Sequence, residues 1–341
     1  MSFFQILWFL LIGVLFAGFF FLDGFDYGVG MAVNTLTSDD AEQSQIIQTI
    51  GPVWDANEVW LITAGGAMFA SFPYWYATLF SGYYLILLAI LCGLILRGVS
   101  FEFRAKSNGK LRKAWTKLLG ISSAWVPFFL GVMFISMIKG MPIDVNGNMH
   151  AHFFDYFNWF SVVGGIALML LTYLHGLNYI ALKTVGQMRE TAKNFAKALY
   201  YMLYVGLVVF ALLLIFQTDF FSVHPFGTGI TVVLIVIFAV LAHVSLFKDN
   251  EVMAFISSGL TMVFLVAMIF VGLFPRVMIS SIKPSYDLLI NSASSTPYTL
   301  TVMTIATVCL LPFILAYTIW AYWIFRKRIA MPTVSKSLEG Y

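Results

Sequence analysis

Residues 59–96 read VWLITAGGAMFASFPYWYATLFSGYYLILLAILCGLIL, a run without a single charged side chain. A helix that crosses a bilayer needs ~20 mostly apolar residues, so this run is too long for one such helix and long enough for two. Pro73 lies inside the run, and a proline ends or breaks a helix locally. The stretch therefore predicts two membrane-spanning helices that are separated near Ser71–Tyr74.

The composition of the whole chain supports a membrane protein. Of 341 residues, 60% are apolar and 10% are charged, whereas soluble domains have about 45–50% apolar and about 25% charged residues. This excludes an ordinary soluble enzyme, a disordered protein and a nucleic-acid binder, because too few polar side chains remain to cover a water-facing surface. The apolar runs are continuous rather than alternating, which favours helices over a barrel.

We therefore predict an all-α polytopic membrane protein with nine transmembrane helices, forming a single integral membrane domain over residues 1–341. Reading between the charged residues gives the approximate bounds of each span. The predicted spans are residues 4–31, 54–72, 75–97, 118–138, 157–182, 198–218, 226–247, 252–274 and 298–325.

The distribution of Lys and Arg predicts the orientation. All 19 of them except Lys139, Arg276 and Lys283 fall on one side of the predicted membrane. Cytoplasmic loops carry the excess of Lys and Arg, so this side is predicted to be cytoplasmic, with the N-terminus outside and the C-terminus inside. Residues 34–49 on the same side are acidic, but acidic residues contribute little to this rule.

Ionisable residues next to these apolar runs form the candidate site. Asp23 and Asp26 end the predicted first helix, Asp55 and Glu58 open the second, and Arg97 closes the third. Each carboxylate pair is three residues apart and shares a helical face. All of these helix ends are predicted to lie at the cytoplasmic boundary, where such groups suit a proton relay. The alternative is that the charges only pair to hold the loops together.

Asp55 is expected to be the most sensitive proton-handling residue, because it lies beside Trp54 and is predicted to be partly desolvated. His175 and His243 lie in predicted helices, and bis-His ligation of a haem is possible in principle. A hydrogen-bonded interior histidine is the preferred interpretation. Cys92 and Cys309 lie in separate apolar runs without a CxxC motif, so no metal site is predicted.

Several motifs resemble subunit II of cytochrome bd quinol oxidase. These are Asp23-Gly24-Phe25-Asp26 followed by Gly28-Val29-Gly30-Met31, the run Gly51-Pro52-Val53-Trp54-Asp55-Ala56-Asn57-Glu58-Val59-Trp60 continuing to Ala70, and Arg97-Gly98-Val99-Ser100-Phe101-Glu102-Phe103-Arg104. His175-Gly176 and Lys183-Thr184 fit further along the chain. The resemblance is specific over roughly the first hundred residues.

The resemblance implies a partner, subunit I, which carries the b-type and d-type haems and the quinol-oxidising loop. The two subunits are expected to form a pseudosymmetric heterodimer in the bacterial cell membrane, sometimes with a small single-span subunit. Subunit II is expected to ligate no haem itself. Some members of the family hold a structural quinone in subunit II, for which this sequence shows no motif. Lipid and quinol are the other expected partners, and nucleic acid is not.

The predicted function is therefore support of quinol oxidation coupled to reduction of oxygen to water, as a scaffold and as part of the cytoplasmic proton path. Asp26, Asp55 and Arg97 match family positions tied to proton delivery or complex integrity, and Glu58 stands where some relatives have an amide. A stand-alone secondary transporter would place polar sites at the midplane, which the boundary carboxylates disfavour. A purely structural subunit is a further alternative. The candidate site residues are Asp55, Asp26, Arg97, Glu58, Asp23, Trp54 and His175.

Overall fold

The structure of the chain, a computed structural model, describes residues 1–330. Lys336, one of the basic residues used above to predict orientation, and the C-terminal end of the predicted single domain lie outside these residues. Helices dominate the described part. They are α1 (Phe3–Thr35), α2 (Asp40–Ile50), α3 (Trp54–Ser71), α4 (Pro73–Gly82), α5 (Tyr84–Lys106), α6 (Gly109–Lys139), α7 (Phe153–Tyr156), α8 (Trp159–Lys183), α9 (Gln187–Gln217), α10 (Phe220–Val223), α11 (Pro225–Phe247), α12 (Glu251–Leu273), α13 (Ile290–Ala293) and α14 (Pro297–Ile324).

Eight helices of the described part are long and apolar enough to cross a membrane. These are α1, α5, α6, α8, α9, α11, α12 and α14. Helix α3 has 18 residues and is not among them, because Asp55, Asn57 and Glu58 make its first turns polar. The sequence predicted nine spans, and α3 corresponds to the additional one. The predicted spans after residue 100 correspond to α6, α8, α9, α11, α12 and α14.

The predicted third span, residues 75–97, is wrong in its bounds. Pro73 starts the short helix α4, as prolines often do at the first helical position. Tyr83, with φ −92° and ψ 20°, then separates α4 from α5. The long helix thus begins at Tyr84 and continues to Lys106. Consequently Arg97 lies inside α5. The sequence had predicted it at the end of this helix.

Helix α1 is longer than predicted, and Asp23 and Asp26 lie within it rather than at its end. Its second half packs directly against α8. A Cβ atom built on Gly28 would lie 2.1 Å from the carbonyl oxygen of Thr172, and one built on Gly176 would lie 2.3 Å from the carbonyl carbon of Gly28. The two backbones therefore touch, which only glycine permits. This crossing buries the second half of α1 among its neighbours.

The acidic segment predicted as a cytoplasmic loop contains helix α2. The Asp39 side chain accepts hydrogen bonds from the backbone of the first turn, as an N-cap does. Asp40 accepts from Arg104 at 3.0 Å and from Arg112 at 2.8 Å. The hydrogen bond from Arg112 and the nearby guanidinium charges hold the pKa of Asp40 below its usual range. Helix α2 is thereby fastened to α5 and α6.

The connections gather at two ends of the helical bundle. One end, called here the basic end, holds residues 36–53, 107–108, 184–186, 248–250 and 325–330. There Gln45 donates to the carbonyl of Ile329 at 3.0 Å. The opposite end carries the one departure from the all-α prediction in the described chain, a two-stranded antiparallel ribbon. Strand β1 (Arg276–Met278) pairs there with β2 (Leu288–Leu289).

Candidate functional site

A buried ion pair joins α1 to α5. Arg97 Nη2 lies 2.8 Å from Asp23 Oδ1, and Nη1 lies 3.3 Å from Asp23 Oδ2. Both side chains are fully buried. Two parallel hydrogen bonds between a guanidinium and a carboxylate give both strength and a fixed geometry. The pair therefore sets the position of α5 against α1 at this level.

Arg97 also contacts three other side chains. The Tyr27 ring centroid lies 4.2 Å from its guanidinium carbon, and the Trp54 ring centroid lies 6.0 Å away. Glu58 Oε2 lies 3.7 Å from Nη1. Aromatic faces attract cations, so these contacts add to the ion pair. Arg97 thus brings α1, α3 and α5 together.

Asp26 is fully buried but forms no ion pair with a described residue. Its Oδ2 accepts a hydrogen bond of 2.7 Å from Asn57 Nδ2. Asn57 Oδ1 in turn accepts one of 2.8 Å from the Tyr322 hydroxyl. Asp26 Oδ1 has no hydrogen-bond partner among the described residues. A chain of side chains from α14 through α3 therefore holds one oxygen of Asp26 and leaves the other unpaired.

The charges of this cluster do not balance within residues 1–330. Asp23, Asp26 and Glu58 are carboxylates, and Arg97 is the cation that forms ion pairs with the cluster in the described part. An uncompensated buried carboxylate is costly, because water no longer solvates it. A proton is the smallest ion that can neutralise such a group. The arrangement is therefore suited to taking up and releasing protons.

The structure brings together five of the predicted site residues and separates the other two. Asp23, Asp26, Glu58, Arg97 and Trp54 belong to the cluster just described. The expectation that Asp55 is partly desolvated is wrong for this chain. Its side chain is exposed in the first turn of α3, because the face that α3 turns to α1 carries Asn57.

His175 lies on α8 against a different part of α1. Its Nδ1 is 2.7 Å from Ser258 Oγ, and its Nε2 is 3.0 Å from the carbonyl oxygen of Phe21. Its ring stacks on Phe255 with centroids 4.6 Å apart. Both ring nitrogens are thus engaged by the protein, as expected for a hydrogen-bonded interior histidine. His243 lies elsewhere, with its Nδ1 2.8 Å from the Tyr204 hydroxyl.

Sequence reasoning missed Asn57, Tyr27 and Tyr322. A signal for Asn57 was present, since positions 54, 57 and 58 share one face of a helix. Tyr27 follows Asp26 directly and gave no separate signal. Tyr322 is 265 positions from Asn57, and no local pattern links residues so far apart in sequence.

Comparison with known proteins identifies the family. The family described as "Cytochrome bd terminal oxidase subunit II" matches residues 4–325. "Cytochrome bd ubiquinol oxidase subunit 2" of Bacillus subtilis (strain 168) is 46% identical over 325 residues, covering 95% of this chain and 96% of the relative. "Cytochrome bd-I ubiquinol oxidase subunit 2" of Escherichia coli (strain K12) is 30% identical, covering 98% of each chain.

A solved structure shares the fold. It belongs to "The structure of bd oxidase from Geobacillus thermodenitrificans" and superposes with a TM-score of 0.75 at 14% sequence identity, covering 96% of this chain and all of the other. The family match spans every helix of the buried cluster, and the relatives match along nearly the whole chain. The chain therefore belongs to the cytochrome bd oxidase subunit II family.

Proposed function

We propose that this subunit delivers protons from the cytoplasm toward the oxygen-reducing partner, and that Asp26 is the group that carries them. As a subunit II, the chain is part of a quinol oxidase complex in a bacterial membrane and works with a subunit I. Reduction of oxygen to water consumes protons, whereas quinol oxidation releases them. The observation that carries the proposal is the buried Asp26 carboxyl, which lacks an ion-pair partner among the described residues.

The other acidic residues extend this path in the proposal. Glu58 lies one turn from Asp55 on α3 and pairs with Arg97, with about a fifth of its side chain exposed. Asp55 is exposed at the start of the same helix. Asp23 and Trp54 hold Arg97 in place, and His175 supports α1 from α8. Protons would pass between Asp26, Glu58 and Asp55 on the side of α3 that is free for a partner subunit.

We further propose nine spans, with the N-terminus outside and the C-terminus in the cytoplasm. Helix α3 supports the ninth span, since it begins next to α2 at the basic end and ends at the opposite end. There the Ser71 carbonyl accepts a hydrogen bond of 2.8 Å from the Ser295 amide. The basic end faces the cytoplasm in this arrangement, following the distribution of Lys and Arg.

Haems b and d are assigned in this proposal to subunit I. The two ring nitrogens of His175 are already bound by Ser258 and Phe21, which argues against ligation of a haem there. In this proposal a structural quinone occupies an apolar cavity of about 290 Å³ between α6, α8, α9, α11 and α12. Tyr204 offers the one side-chain hydroxyl among the lining residues, so the cavity fits an isoprenoid tail better than a polar head group.

A pseudosymmetric pairing with subunit I would cover surfaces that this chain leaves open. The most apolar stretch of α14 is unburied within the described chain. Apolar residues on α3 and α5, such as Ile62 and Leu85, are also exposed. Lipid and subunit I would share these faces. The small single-span subunit stays a prediction from the family.

The test is the oxygen consumption of the purified complex carrying Asp26→Asn, with quinol as donor. We expect turnover to fall at least about tenfold, since a positioned proton-transfer group typically contributes about 100- to 10,000-fold. The haem spectrum should be unchanged. Glu102→Gln is the matched control, because it removes an exposed carboxylate of α5 that lies outside the proposed path. Full turnover by an assembled Asp26→Asn complex would leave the subunit with a purely structural role.

A further inference from the structure

A second cavity, of about 200 Å³, opens at the basic end beneath the buried cluster. It lies where α2, the C-terminal ends of α8 and α14, and the segment 325–329 meet. Its polar lining includes Gln48, Thr49, Tyr179, Lys183 and Tyr322. A cavity of only about 10–15 Å³ can hold one water molecule, provided that polar partners are present. This cavity therefore has room for several hydrogen-bonded waters.

Tyr322 links this cavity to Asp26. The residue lines the cavity, and its hydroxyl donates a hydrogen bond to Asn57 Oδ1 at 2.8 Å. The same Asn57 donates to Asp26 Oδ2. One hydrogen-bonded residue thus separates Tyr322 from the carboxyl that the mechanism uses.

The wall of the cavity is held by hydrogen bonds to backbone carbonyls. Lys183 donates hydrogen bonds to the carbonyl oxygens of Phe325 and Lys327, and the Ile329 amide donates to the Lys183 carbonyl at 2.7 Å. Arg328 lies 3.5 Å from Glu251. The charges of Lys183 and Arg328 are therefore engaged by partners around the cavity, so that they oppose the approach of a proton less than free cations would.

We propose that this cavity is the water-filled vestibule through which Asp26 is protonated from the cytoplasm, and that Tyr322 and Asn57 are the positioning residues of this step. A water that enters from the cavity, past Tyr322, donates a proton to the Asp26 carboxylate, and the hydroxide left behind takes one back from bulk water, so no other reactant is needed. Tyr322 fixes Asn57, and Asn57 fixes one oxygen of Asp26, which leaves the unpaired Oδ1 to accept the proton. The inference rests on the proposed role of Asp26.

The first experiment blocks the vestibule at its solvent-exposed opening. Gln48 is exposed and lines the cavity, so Gln48→Cys can be labelled with a bulky, reducible thiol reagent. The background is Cys92→Ser with Cys309→Ser, because both native cysteines are exposed. We expect labelling of the intact complex to lower oxygen consumption at least about tenfold, and a reductant to restore it. Asn108→Cys, exposed in the α5–α6 connection, is the control and should not respond to labelling.

The second experiment is Tyr322→Phe, which keeps the aromatic ring and removes the hydroxyl that donates a hydrogen bond to Asn57. Turnover at saturating quinol should fall and its pH profile should shift, while the haem spectrum is retained. A structural role alone would not move the pH profile. Unchanged turnover in labelled Gln48→Cys together with an unchanged pH profile in Tyr322→Phe would overturn the vestibule. If Asp26→Asn is still inactive in that case, proton delivery by Asp26 stands and the protons reach it along α3.

Discussion

At the scale of single residues, Arg97 has the most partners in the buried cluster. It forms two hydrogen bonds with Asp23, lies 3.7 Å from Glu58 and packs on Tyr27. Removing one member of a buried ion pair leaves an uncompensated charge, which costs more than the pair itself contributes. The cluster that we propose to handle protons therefore also stabilises the junction of α1, α3 and α5.

We predict that Asp23→Asn destabilises the complex by about 3–5 kcal/mol, because Arg97 would be left buried without its carboxylate. The measurement is the temperature at which the purified complex loses its native haem spectrum. Asp55→Asn, which changes an exposed side chain, should stay within about 0.5 kcal/mol of the parent. Equal thermal stability of the two variants would contradict the assignment of Asp23 as the structural partner of Arg97.

Much of the cluster could be predicted from sequence, because charged residues within apolar runs are conspicuous. Asp23, Asp26, Glu58 and Arg97 were found in this way. Trp54 suggested that the neighbouring Asp55 is partly buried, whereas its side chain is exposed in the described chain. Tyr322 could not be found, because its contact with Asn57 depends on how α14 packs against α3.

At the scale of elements, the crossing of α1 and α8 determines how the cluster is built. Gly28 and Gly176 meet with their backbones in contact. This close approach brings the second half of α1 into the interior of the bundle, and Asp23 and Asp26 with it. The predicted span ended at residue 31, four residues before α1 does, and Asp23 and Asp26 were interpreted as marking the membrane boundary near its end. Their partners on α3 and α5 make burial possible.

Gly176→Ala tests this crossing. An added Cβ would lie 2.3 Å from the Gly28 carbonyl carbon, and backbone atoms cannot give way as a flexible side chain can. We expect at least about 1–3 kcal/mol of destabilisation and a reduced yield of haem-bearing complex from membranes. Gly206→Ala is the control, because a Cβ there meets nothing within 4 Å. A normal yield for Gly176→Ala would show that α1 and α8 can separate without harm.

The region between α3 and α5 shows where sequence patterns stop being informative. The uncharged run of residues 59–96 and Pro73 predicted two helices and a break, and both are present. The second break, at Tyr83, carries no proline or glycine of its own and follows Gly82, whose carbonyl accepts a hydrogen bond from Tyr156. That hydrogen bond comes from a residue 74 positions away, which no local pattern predicts.

At the scale of the whole molecule, orientation decides whether the cluster draws on cytoplasmic protons. We predict that a reporter active only in the cytoplasm works when fused after Tyr341. A reporter active only outside should work when inserted between Met141 and Asn148, in the connection after α6. Signals in the reverse pattern would show that the basic end faces outward. The cluster could then not draw its protons from the cytoplasm. Both fusions need a haem spectrum to show that the complex has assembled.

The most direct test of proton delivery is proton uptake during a single turnover. The fully reduced complex, reconstituted in vesicles with its basic end facing a pH-sensitive dye, is mixed with oxygen. With Asp26→Asn we predict that oxygen binds at the parent rate, while proton uptake from the dye side slows by at least about tenfold. Uptake at the parent rate in an assembled Asp26→Asn complex would contradict the claim that this subunit carries protons through Asp26.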